Sequence, residues 1–179
     1  MSLAPQADGA KSRRSKKTNL SAVGVTDLTD WETQLEPASM RVVTGDARAT
    51  GLPDNSVDLI VTSPPYWQKR DYGHEDQIGQ EPTPQAFVES MMECLDEWKR
   101  VLRPTGSVFL NVGDTYYNRS LMGIPGLLEF DAVQRGWLIR NRIIWTKDGG
   151  MPEPAKNRLA NRHEYIIHLA LKPSYYYDL

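Results

Sequence analysis

Thr62-Ser63-Pro64-Pro65-Tyr66-Trp67 is the stretch of this 179-residue chain whose residue types most clearly suit chemistry. Two successive prolines hold the backbone extended and remove two N–H donors. Facing outward from such a loop are carbonyl acceptors, the Ser63 hydroxyl and the aromatic face of Tyr66. That combination suits a planar group bearing an NH₂, whose hydrogens go to oxygens while its ring stacks on the tyrosine. Two other pairs, Gly45-Asp46 and Gly113-Asp114, also follow short apolar runs. In an open α/β sheet the carboxyl ends of the strands are where ligands collect.

The remaining chemistry-bearing types are sparse. His163, Glu164 and His168 do not form a zinc motif: a spacing of five splays the histidines on a helix and sends them to opposite faces of a strand. No metal is expected. Cys94 is the one cysteine, which excludes a disulfide framework, and it falls among apolar residues as a small core side chain. Charge is uneven although the net value is only −2. Asp71 to Glu97 holds eight acidic residues and no Lys or Arg, and Arg135 to Arg162 holds seven basic residues against Asp148 and Glu153. Such a body suits an oriented anionic ligand, or simply presents solvated faces.

These residues need elements to place them. Residues 1–39 lack sustained periodicity, and five basic groups crowd residues 1–17 against Asp8, so this part reads as a flexible basic leader in which Trp31 is a local anchor. From Met40 the chain alternates strand-like and helix-like pieces, the pattern of an α/β domain with a largely parallel sheet. Arg41–Thr44 reads as a short strand, and Val57–Thr62 as a fully buried central strand stopped by the prolines. Thr83-Pro84 opens a helix with a capping hydroxyl and a proline at its first position. Phe87, Met91, Cys94/Leu95, Trp98 and Leu102 repeat at helical spacing until Pro104-Thr105-Gly106. Ser107–Val112 is a second buried strand. A helix is expected from about Gly126 to Arg135, then strands at Arg140–Lys147 and Tyr165–Lys172 joined by a Gly/Pro-rich loop. The order is half of a doubly wound sheet. No apolar run approaches the ~18 residues of a membrane helix, and the N-terminus has no hydrophobic signal core, which favours a cytoplasmic protein with no membrane partner.

Taken together, VVTGDA, LPDNSVDLIVTSPPYW, RDYG, QIGQE, RVLRPTGSVFLNVGD and GWLIRNRIIWTK resemble the DNA amino-methyltransferases over about residues 40–179. The order is similar to the permuted (β) group, in which the Pro-Pro loop precedes the cofactor-binding half. The resemblance implies a Rossmann-like, S-adenosylmethionine-dependent enzyme of restriction-modification type that methylates the exocyclic amine of a base in double-stranded DNA. Serine before Pro-Pro-Tyr favours cytosine N4 over adenine N6. Ser63, Pro64, Pro65 and Tyr66 are then the catalytic loop: Ser63 and the Pro64 carbonyl accept from the amine, and Tyr66 stacks on a flipped base. Trp67 and Lys69 would lie beside that base, with Lys69, Arg70, Lys156, Arg158 and Arg162 holding phosphates. Asp46 occupies the acidic position near the adenosyl end of the cofactor, or starts a turn. Asp114 lines the base pocket, or caps the next segment. His163-Glu164 opens the last strand.

The chain departs from the pattern in one respect. No Gly-x-Gly occurs anywhere in it, and Gly149-Gly150 does not open a helix. The reading is therefore a catalytic half with a C-terminal β-hairpin over residues 40–179, an incomplete sheet whose cofactor-signature half is absent. A complementing chain, or a missing C-terminal half carrying Gly-x-Gly, would complete it. The alternative of another class is a catalytically silent DNA- or protein-binding remnant of the family.

Overall fold

A computed structural model describes residues 40–149 and 155–178 of the chain. By its internal contacts the chain divides into two units, Met1–Val43 and Thr44–Leu179. Of the first unit only residues 40–43 are described, so the leader and Trp31 lie outside the described residues. Arg41–Thr44 does not form the expected strand: it pairs with no strand among the described residues, and Val42 and Val43 are exposed. A β-branched run is a strand only when a neighbour takes its backbone hydrogen bonds.

In the second unit the elements run β1 (Val57–Thr62), α1 (Pro84–Val101), β2 (Leu102–Val112), β3 (Tyr116–Tyr117), β4 (Ser120–Leu121), α2 (Ile124–Gln134), β5 (Leu138–Thr146) and β6 (His163–Ala170). Thr83 caps α1 as its sequence implies, its hydroxyl accepting from the Ala86 N–H at 3.1 Å, with Pro84 in the first turn. Phe87, Met91, Cys94, Leu95 and Trp98 form the buried stripe of α1. Gly123, at φ +72°, opens α2, and Gly136, at φ +83°, follows its end.

The main sheet has the order β1-β2-β6-β5. Only β1 and β2 are parallel, whereas β6 runs antiparallel to both β2 and β5, so the sheet is mixed rather than largely parallel. The fully buried central strand expected at Val57–Thr62 is instead an edge strand, with Leu59 and Val61 exposed. Three extra residues of β2 are looped out between the Val57↔Leu102 and Leu59↔Ser107 pairs. Pro104, which lacks an N–H, falls in that bulge.

One face of the sheet, carrying Ile60, Val108, Leu110, Val112, Ile167 and Leu169, joins α1 and α2 in a single core that also contains Trp67 and Trp137. The helices pack on each other as well as on the strands. On the opposite face His168 is buried, stacked on Phe109 with centroids 4.5 Å apart and bonded through Nε2 to the Ser107 hydroxyl at 3.1 Å. The chain after β6 folds back over this pair: Tyr175 meets His168 edge-on, and the Tyr176 N–H donates to the Thr105 carbonyl at 3.0 Å. No helix among the described residues is long and apolar enough to cross a membrane.

Candidate active site

The carboxyl ends of β1 and β2 and the start of β6 meet at one edge of the sheet, because β2 runs parallel to β1 and antiparallel to β6. They open onto a cavity of about 620 Å³. Ser63, Pro64, Pro65 and Tyr66 line it as β1 ends, and Gly113 and Asp114 as β2 ends. Glu164 and His163 contribute from β6, and Lys69, Arg70, Lys147, Arg158 and Arg162 supply cations.

Tyr66 is the most constrained of these side chains. Its hydroxyl donates to Glu164 Oε2 at 3.0 Å and accepts from Asn111 Nδ2 at 2.9 Å, with Ser63 Oγ 3.4 Å away. Its ring lies on Gly113 so closely that a Cβ there would stand 2.9 Å from the ring carbon Cε2. Burial, reinforced by the Glu164 carboxylate, pushes the phenol up to about 12, so it stays protonated and donates. Burial works against the charged form of Glu164. Donors on Lys147, Asn111 and Tyr66 outweigh it and hold the carboxyl below the usual carboxylate range. Lys147 is also its salt-bridge partner.

The two adjacent aromatics of the loop part company. Gln68 sits at φ +54° and donates its N–H to the Gly79 carbonyl at 2.7 Å, while the Lys69 N–H returns to the Tyr66 carbonyl at 3.1 Å. This tight turn leaves Tyr66 at the cavity and drives Trp67 into the core. Trp67 is only 1% exposed, its indole N–H donates to the Glu81 carbonyl at 2.8 Å, and its own carbonyl accepts from the Thr115 hydroxyl at 2.8 Å. The expectation that Trp67 touches a base is therefore corrected: it braces the loop from behind.

Asp114 does both things considered for it. It lines the cavity, and its carboxylate caps α2 through the N–H groups of Gly123 at 3.0 Å and Ile124 at 3.1 Å. Asp46 lies outside the cavity lining, in a turn closed by an Asp46–Ala49 bridge. The Arg48 guanidinium takes both of its oxygens and holds its carboxyl below the usual range. The described residues assemble no polar cradle for an adenosyl group around it.

Of the basic run from Arg135 to Arg162, part is consumed internally: Arg135 pairs with Glu89 and Asp96, and Arg142 with Glu129. Lys156 is exposed and outside the cavity lining, whereas Arg162 lines it and Arg158 lies 3.6 Å above the Tyr116 ring. Sequence reasoning missed Asn111, Lys147, Tyr72 and Tyr116 as cavity or network residues, and gave Glu164 only a structural place. Among the described residues no cluster of His, Cys, Asp and Glu could hold a metal ion.

Residues 57–179 match the family model described as DNA methylase. The chain belongs to the DNA methylase family. Among curated relatives, this methylase is 36% identical over 156 residues to the type II methyltransferase M.XycI of Xanthomonas campestris pv. cyanopsidis, covering 71% of this chain and 52% of that protein. It is 32% identical over 171 residues to M.SmaI of Serratia marcescens, covering 78% and 59%. Its fold is like that of the PvuII DNA methyltransferase (cytosine-N4-specific), with a TM-score of 0.61 at 17% identity over 73% of this chain and 49% of that one. The DNA modification methylase TTHA0409 of Thermus thermophilus, solved with S-adenosyl-L-methionine, gives a TM-score of 0.58 at 28% identity, covering 75% and 56%. The methylase therefore has part of an S-adenosylmethionine-dependent methyltransferase fold, and it spans about half the length of the curated relatives it matches.

Proposed function

We propose that this methylase domain holds the exocyclic amine of a flipped DNA base for methylation, with cytosine N4 as the target. The observation that carries the reading is the Ser63-Pro64-Pro65-Tyr66 loop leaving an ordered strand at a cavity of about 620 Å³ rimmed by Lys69, Arg70, Arg158 and Arg162. A base inside a duplex cannot reach such a site, so it must swing out, with cations on its flanking phosphates and an aromatic face against its ring. Ser63 and the Pro64 carbonyl accept the amine hydrogens, which draws the nitrogen lone pair out of conjugation. Serine at position 63, together with the fold likeness to a cytosine-N4-specific enzyme, supports cytosine over adenine.

S-adenosylmethionine, when bound, supplies an electrophilic methyl group. The described residues do not fit it: Asp46 is tied to Arg48, and the sequence has no Gly-x-Gly whose backbone amides could approach the cofactor. Its binding is therefore assigned to a complementing segment or chain. The order of the motifs, with the Pro-Pro loop first, supports the permuted arrangement. Partnership with a restriction enzyme and action on DNA in the cytoplasm follow from the same reading.

The test is transfer of tritiated methyl to duplex DNA, by the chain alone and with the Gly-x-Gly half of a full-length relative, followed by nucleoside analysis. Label in N4-methylcytosine with the complemented chain is the expected result. Label in N6-methyladenine would move the target base, and no incorporation with the complement would refute the reading.

A further inference from the structure

Ser63, Tyr66, Asn111, Glu164 and Lys147 converge at one corner of the cavity, and the amine reading uses only the first two. A serine hydroxyl has one hydrogen and two lone pairs, so whether Ser63 can accept from an amine depends on where its own hydrogen points. The neighbouring groups set that direction. Glu164, ionised beside Lys147, can only accept. Tyr66 therefore donates to it, at 3.0 Å, and its oxygen is left to accept from Asn111 Nδ2 at 2.9 Å and from Ser63 at 3.4 Å. Asn111 Nδ2 also donates to Glu164 Oε2 at 3.1 Å, so the reversed amide would set two acceptors against each other. Asn111 keeps this orientation although its Oδ1 is buried without a partner. An unsatisfied buried acceptor is destabilising, and it persists where a site over-determines it.

We propose that Glu164, fixed by Lys147 and Asn111, is a positioning residue that directs the hydrogen-bond chain Ser63→Tyr66→Glu164 and so turns a Ser63 lone pair into the cavity as the acceptor for the base amine. The proposal rests on the functional reading above and adds to it the group that orients the serine. Gln at position 164 keeps the shape but offers an NH₂ to the Tyr66 oxygen, which removes the direction of the chain. Phe at position 66 cuts the chain between its ends.

Two measurements test it. In the full 179-residue chain, ¹³C-carboxyl titration should place Glu164 roughly half a pH unit higher in Tyr66→Phe than in wild type, because a donor to its charged form is gone. In the complemented enzyme, Glu164→Gln should lower kcat about tenfold, the loss of roughly one charge-assisted hydrogen bond, with KM for DNA within about twofold. The same substitution added to Tyr66→Phe should cost less than about twofold, since the path it acts through is already cut. An unmoved Glu164 titration overturns the direction of the chain whatever the activity. An equal kcat loss with and without the Tyr66 hydroxyl, or a loss confined to KM, overturns the positioning role. A wild-type complex that transfers no methyl while the titration moves as expected refutes the functional reading, and with it the amine as occupant.

Discussion

Gly113→Ala tests whether the Tyr66 ring is held where the structure places it. Gly113 is not among the residues with positive φ, so its backbone can accept a side chain and any cost must come from contacts. The added Cβ would stand 2.9 Å from Tyr66 Cε2 and 3.1 Å from Cδ2, and 3.5 Å from Glu164 Cγ. Carbon atoms rest at about 3.5–4.0 Å, so the ring must retreat by roughly 0.5 Å while the Glu164 contact needs no adjustment. Retreat is opposed because the hydroxyl is held at 3.0 Å by Glu164 and 2.9 Å by Asn111. Overpacking of this kind costs about 1–3 kcal/mol, which for a domain of this size lowers Tm by about 3 °C per kcal/mol.

The assay is urea unfolding of four proteins: wild type, Gly113→Ala, Tyr66→Ala and the double variant. Removing the ring removes the clash, so Gly113→Ala in the Tyr66→Ala background should cost less than about 0.5 kcal/mol, a coupling of at least about 1 kcal/mol. Tyr66→Phe keeps the ring and should keep most of the penalty. An equal cost for Gly113→Ala with and without the ring would refute the contact and the placement of Tyr66 argued from it.

Trp67→Phe should cost about 1–2 kcal/mol in urea melts, from the lost indole donor and a small cavity, while DNA affinity at fixed salt stays unchanged; lost affinity with unchanged stability would return Trp67 to the binding surface. Asp114→Ala removes the cap from two N–H groups of α2 and should lower stability by about 1–2 kcal/mol, with Asp114→Asn milder; equal stability of all three proteins would contradict the cap. His168 is buried against Phe109, Ser107 and Tyr175, and burial, then the charge of Arg140, lowers its pKa from 6.5. Below that value the unfolded chain binds the extra proton and the folded one resists it, so stability is present above about pH 6.5 and falls as pH drops through the lowered value. That slope should be missing from urea midpoints of His168→Gln, and a slope shared by both proteins would assign it elsewhere.

The parts of the fold that sequence specified locally were readable from it. The Thr83-Pro84 start and the stripe from Phe87 to Trp98 carry the cap, the entry angle and the buried face of α1 within 16 consecutive residues, and the helix forms there. Val57–Thr62 has the right ends, yet its burial depends on strands beside it, and as an edge it leaves Leu59 and Val61 in water. Arg41–Thr44 fails for the same reason carried further: β propensity describes a fit to neighbours, and no strand among the described residues pairs with it. The antiparallel course of β6 between β2 and β5 was likewise set by packing rather than by any local signal, beyond the expectation of a C-terminal hairpin.

The site divides along a similar line. Ser63 to Tyr66 is contiguous, and its chemistry could be read from residue types alone. Trp67 could not be separated from Tyr66 that way, because the separation comes from the left-handed turn at Gln68 and its bond to Gly79. The Glu164 network joins residues separated by 98, 45 and 53 positions, and only the sheet register brings them together. A weak signal for it exists even so. Asn111 interrupts an apolar strand one residue before its end, Glu164 is the second residue of β6, and Lys147 directly follows β5. A hairpin that pairs Trp145 with Glu164, beside a β2 that pairs Asn111 with Ile166, must bring all three polar groups to the sheet edge where the Pro-Pro loop ends. A polar residue near the carboxyl end of an otherwise apolar strand is thus worth more, as a pointer to function, than a charged run on a solvated face. In this methylase the first kind orients Ser63, while the second is largely spent on ion pairs such as Arg135 with Glu89 and Asp96.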